Sequence, residues 1–127
     1  MKKWVAVAVL LLLPGAAVTQ QQAEQLAKAF HEAQDAMKAK DFDTVITACE
    51  KVLTLSPETF LCNYWLGYAY ATKKQWGKSG QNFSRYLEEI AKKPEATSNP
   101  QVQEMVNAAN RQAGIALART GRSRDAI

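Results

Sequence analysis

The sequence predicts an all-α chain built as a solenoid of antiparallel helix pairs, with two full repeats and a truncated third. Three observations point there. Apolar residues recur at three- and four-residue spacing from Gln20 to about Thr120, the signature of helices with one buried stripe. Prolines fall between these segments or at the start of one, and not inside them. The chain also resembles itself when shifted by 34 residues, a period typical of stacked helical units.

The first segment, Met1 to Val18, is set apart from the rest. Lys2 and Lys3 precede ten apolar residues, Trp4 to Leu13, then Pro14-Gly15 and the small Ala16 and Ala17. This is the layout of a secretory signal peptide, residues 1–17, cut after Ala17 or, as second choice, after Thr19. A membrane-spanning helix fits less well, because the apolar run is half the roughly 20 residues required and Pro14 breaks it. Cleavage leaves 110 residues, 18–127, as one repeat domain, exported to the periplasm or secreted, with no stable membrane insertion.

Five helices follow. In the first, Ala23, Leu26, Ala27, Phe30, Ala33 and Met37 form the stripe. Lys40-Asp41 is a turn. Asp41 or Asp43 can accept bonds from the free amides of the second helix, whose stripe is Phe42, Val45, Ile46, Cys49, Val52 and Leu53 and which Pro57 stops. The third, Thr59 to about Lys73, has no clean polar face and therefore lies between neighbours. The fourth runs from Trp76 towards Lys93, ended by Pro94. The fifth is capped by Ser98 or Asn99, has Pro100 in its first turn, and extends to about Thr120, with Gly121 as a left-handed stop. Arg122 to Ile127 would open a further helix, so the chain is expected to continue beyond Ile127.

Composition narrows the function classes. At 47% apolar and 22% charged residues the chain is an ordinary folded domain. Its net charge of +4 falls to +2 without Lys2 and Lys3, and the basic residues are interleaved with Glu and Asp. That surplus is too small for a phosphate-binding face, so no nucleic-acid partner is expected. His31 is the only histidine, and neither a glycine-rich phosphate loop nor a zinc-type cysteine spacing occurs. Glu88 and Glu89 are adjacent on a helix and point about 100° apart, so they cannot face a common substrate. The chain is therefore expected to be no enzyme and to carry no cofactor or metal.

The 34-residue shift places Ala33 on Gly67, Ala36 on Tyr70, Lys40 on Lys74, Phe42 on Trp76, Cys49 on Phe83 and Val52 on Tyr86. Lys40-Asp-Phe-Asp-Thr-Val-Ile46 with Cys49-Glu-Lys-Val-Leu-Thr-Leu-Ser-Pro57 resembles the second half of a tetratricopeptide repeat. Trp65-Leu66-Gly67 with Tyr70 resembles the first half of the next. Gly121-Arg-Ser-Arg-Asp-Ala-Ile127 resembles the family's turn into a second helix. The repeats would cover about 26–59, 60–93 and, incompletely, 107–127. Departures are Ser79-Gly80, where the family prefers Ala and a larger apolar residue, and Ala29 and Glu32, where large apolar residues are common.

The resemblance implies a concave groove lined by the first helix of each pair. It would present Phe30, His31, Gln34, Met37 and Lys38, then Leu61, Tyr64, Trp65, Tyr68 and Thr72, then Arg111, Gln112, Ile115 and Arg119. A protein or peptide with an acidic residue flanked by apolar ones is the expected partner. The carboxylate clamp of the chaperone-binding members is missing, since Phe30, Gln34, Trp65, Ala108 and Gln112 occupy its places. In the same helix-pair arrangement Cys49 would face the second repeat near Cys62, so the two are either a disulfide or small core residues. An alternative role is that of the docking arm of a longer envelope enzyme or assembly factor.

Overall fold

The structure is a computed structural model that describes residues 19–125; the expected signal peptide lies outside the described residues, as do Ala126 and Ile127. Five α-helices are present: α1 (Gln20–Ala39), α2 (Phe42–Leu55), α3 (Leu61–Thr72), α4 (Trp76–Ala91) and α5 (Pro100–Asp125), with a 3-10 turn at Ala96–Ser98 before α5. The described residues contain no strand. Each helix packs chiefly on its neighbours in the chain, and α3 also touches α5. No described helix is long and apolar enough to cross a membrane.

Helix ends follow from local chemistry. Thr19 caps α1 in a reciprocal box with Gln22, the Gln22 amide donating to Thr19 Oγ1 at 3.1 Å and the Thr19 amide to Gln22 Oε1 at 3.0 Å. Of the two acids offered for the start of α2, Asp41 is the cap and accepts from the Thr44 amide at 3.3 Å and the Thr44 hydroxyl at 2.6 Å. Asn99 caps α5 through the Gln101 amide at 2.8 Å.

The two turns that close α1 and α3 are copies of each other. Lys40 and Lys74 are the described non-glycine residues with left-handed backbone, at φ 58° and 61°. The Asp41 amide donates to the Ala36 carbonyl at 2.8 Å, and 34 residues on the Gln75 amide donates to Tyr70 at 2.9 Å. Val45 to Asp41 and Ser79 to Gln75 repeat it again, both at 3.0 Å. This is the six-to-one closure that glycine usually serves. A side chain there costs about 1–2 kcal/mol, against roughly 0.5–1 for the extra freedom of unfolded glycine. Lys40→Gly and Lys74→Gly are each expected to raise stability, by about 0.5–1 kcal/mol, in urea titrations; a loss from both would contradict the strain.

Two apolar clusters share α3. Ala29, Ala33, Ala36, Val45, Ala48, Cys49 and Val52 meet Cys62, Leu66, Ala69 and Tyr70 on one side. On the other, Tyr64 and Tyr68 pack with Phe83, Tyr86, Ile90 and Ala109. The absence of a polar face on α3 is thus the signature of a helix buried from both flanks. The departures at 79 and 80 serve the same packing. Ser79 is buried and donates to the Gly67 carbonyl at 2.8 Å, and a Cβ on Gly80 would stand 3.3 Å from that of Ala116.

Three boundaries differ from the sequence expectation. α3 begins at Leu61 and not at Thr59, because Thr59 is used to close the turn after Pro57: its amide donates to Ser56 at 3.0 Å and the two hydroxyls are 2.8 Å apart. α4 stops at Ala91, before Lys93, since Lys92 and Lys93 already bond three residues back and tighten the last turn. The largest correction is at Gly121. It does not turn the chain; α5 continues through it to Asp125. Gly121 is buried within the helix, so it is not a left-handed stop, and the expected turn into a second helix is not formed within 121–125.

Candidate functional site

Phe30, Gln34 and Lys38 recur at four-residue spacing on α1 and so share one face. Phe30 is half-buried and its ring stands 5.4 Å from that of Trp65 on α3, tilted by 36°. His31 is exposed and meets the edge of Phe30 at 6.5 Å. Gln34 is half-buried and Lys38 exposed. The structure therefore joins the first two groups of expected residues through a single aromatic contact.

One turn apart on α3, Tyr64 and Tyr68 form an edge-to-face pair at 5.2 Å. Both lean on the second cluster: Tyr64 lies 5.9 Å from Phe83 and 5.0 Å from Tyr86, and Tyr68 5.0 Å from Phe83. Burial, and then Tyr68, push the Tyr64 phenol well above its ordinary value, while Arg111 pulls in the other direction. Arg111 is exposed and Gln112 half-buried on α5. The two tyrosines are thus half surface and half core.

Arg119 departs from the expectation. Its guanidinium lies over the Trp76 ring of α4, 5.2 Å from the centroid, so it is engaged at the α4–α5 seam and not with the tyrosines. The reason is the straight course of α5: eight residues beyond Arg111, a helix has advanced about 12 Å and turned by about 80°. The acids Glu88 and Glu89 also separate. Glu88 is exposed, whereas Glu89 is half-buried, accepts from Lys92 at 3.0 Å and faces Arg85 at 3.5 Å. Lys92 and then Arg85 hold its carboxyl below the usual range despite its partial burial.

Cys49 and Cys62 are both buried and not bonded to each other. The neighbouring Cys62 thiol, and then burial, push the Cys49 thiol far above its ordinary value. Among the described residues no group of three or more His, Cys, Asp or Glu side chains is arranged to hold a metal ion.

Sequence patterns did not reveal two apolar clefts that meet at Phe30 and Thr59. One, of about 380 Å³, is lined by Ala23, Leu26, Ala27, Phe30, His31 and Thr59. The other, of about 410 Å³, lies between the 58–61 segment and Tyr86, Ile90, Val102 and Met105. A third cleft, of about 360 Å³, runs between Trp76, Gly77 and Gly80 of α4 and Ala113, Gly114 and Leu117 of α5. Leu117 in its wall remains 62% exposed, and Ile115, two residues earlier on α5, 41%. No family model, curated protein or solved structure matches the chain.

Proposed function

We propose that this chain is an exported, non-enzymatic helical-repeat module, a tetratricopeptide-like solenoid without a cofactor, that binds a protein or peptide on the face shared by α1, α3 and α5. The observation that carries this reading is the half-buried Phe30–Trp65 pair with an apolar cleft on either side of Phe30. Half-buried aromatics beside concave apolar space are where binding energy concentrates, because they offer large area at small entropic cost. The repeated turn at Lys40 and Lys74 supports the 34-residue unit. Lys38 and Arg111, exposed at the margins, favour a partner with an acidic residue between bulky apolar ones.

Selection of a random displayed peptide library on the immobilised chain tests the reading. Enriched sequences are expected to pair bulky apolar residues with Asp or Glu. Trp65→Ala should weaken the best peptide at least about tenfold and Arg111→Ala by about tenfold, with unchanged circular dichroism. Arg119→Ala, at the other seam, should leave binding intact. No enrichment over the unfolded chain, or full binding by both Trp65→Ala and Arg111→Ala, would sink the proposal. A second reading, as docking arm of a longer envelope enzyme or assembly factor, is favoured by the exposed Ile115 and Leu117, which offer a further element an apolar seat.

A further inference from the structure

Two cysteines sit 13 positions apart in sequence, on helices that pack against each other. Cys49 lies in the middle of α2 and Cys62 in the first turn of α3. Both have 0% exposed surface, and both belong to the single buried cluster that α1, α2 and α3 close around. The connection between them is short and held: Ser56 and Thr59 share a hydroxyl contact at 2.8 Å, and the Cys62 amide donates to Thr59 at 3.1 Å. Packed seam and pinned turn hold both side chains in one buried cluster, where the Cys62 thiol acts on that of Cys49.

We propose that Cys49 and Cys62 are a disulfide-forming pair whose bond is made while the chain folds, across the α2–α3 seam, and not by oxidation of the folded protein. The attacking species in disulfide exchange is a thiolate that can reach the oxidant. In the folded chain both sulfurs are enclosed, and the proton on Cys49 is held by its neighbour and by burial. In the unfolded chain neither restraint exists. There one cysteine thiolate attacks a disulfide oxidant, of the dithiol-enzyme or glutathione class, forming a mixed disulfide and releasing one oxidant thiol. The second cysteine then displaces the other oxidant thiol. Two electrons and two protons leave the cysteine pair, and the oxidant's disulfide is reduced to two thiols. The seam then closes over a finished bond, so the pair acts as a permanent staple between α2 and α3, and not as a redox switch.

The test uses the whole chain, fully reduced, in two arms with glutathione disulfide. In one arm the oxidant meets the folded protein; in the other it meets protein unfolded in urea, which is then diluted to refold. Intact mass and iodoacetamide labelling read the thiols. The folded arm is expected to stay reduced and unlabelled, and the refolded arm to yield a bridged monomer two hydrogens lighter. For a loop of this length the bridged form should melt about 10 °C or more above the reduced one. Glutathione adducts, cross-linked dimers or free thiols in the refolded arm would overturn the pairing, as would a bridged form that melts below the reduced one. Equal rates of bridging in the two arms would overturn the timing.

Discussion

Phe83→Ala is expected to destabilise the chain by about 3–5 kcal/mol, a large part of the 5–15 kcal/mol that a domain of this size holds in reserve. Phe83 is the largest of the fully buried side chains. Its ring receives Tyr64 and Tyr68 edge-on, both at 86°, and covers Gly67 at the crossing of α3 and α4. Alanine would leave a ring-sized void in the seam that binds the two tyrosines in place, and neighbouring helices close such voids only partly. Urea unfolding followed by circular dichroism measures the loss. A cost under about 1 kcal/mol would mean that α3 and α4 can collapse onto each other, contrary to the packing described.

Gly67→Ala is the complementary change and should also cost stability, by about 1 kcal/mol net. A Cβ at this position would stand 2.6–2.7 Å from three ring carbons of Phe83. The ring is fully enclosed and cannot withdraw, so the helices must separate. Overpacking of this kind costs about 1–3 kcal/mol, occasionally more; the better helix propensity of alanine, worth roughly 1 kcal/mol, works the other way. Because the two sites touch, the effects should not add. In the Phe83→Leu background Gly67→Ala should cost about 1 kcal/mol less than in the native chain. A melting temperature raised by Gly67→Ala alone would show that propensity outweighs the clash.

The same crossing explains what the sequence could and could not disclose. A 34-residue shift aligns Ala33 with Gly67 and Cys49 with Phe83, which marks a tight crossing without saying which ring fills it. Helix identity was legible because burial dictates three- and four-residue spacing, and most ends were legible because Pro57, Pro94 and the caps have local causes. Gly121 was not, since glycine can end a helix in the left-handed region or sit inside one at a modest cost, and its residue type alone does not decide between them. The tyrosines show the same limit. Spacing places Tyr64 and Tyr68 one turn apart on α3, yet their burial depends on Phe83 and Tyr86, residues about 15 to 22 positions away. Arg119 was misplaced because Trp76, the ring that holds it, belongs to another helix, and spacing within α5 does not say which neighbour lies beside it. The clefts around Phe30 and Thr59 escaped entirely, since space left between elements has no pattern along a chain.

α3 carries one more consequence, for how the molecule comes apart. Among the described residues, the buried cluster members on α1 and α2 meet those on α3, and the buried members on α4 and α5 form a separate cluster packed on the other flank of α3. Cooperativity between the halves therefore passes through twelve residues. Loosening α4 together with α5 exposes one flank of α3 and leaves α1 and α2 assembled on the other, whereas melting α3 dissolves both clusters together. The chain thus has a graded hierarchy of openings, with the ends the first to open and the middle helix the last, and a ligand spanning Phe30 and Arg111 would tie the two ends of that hierarchy into one transition.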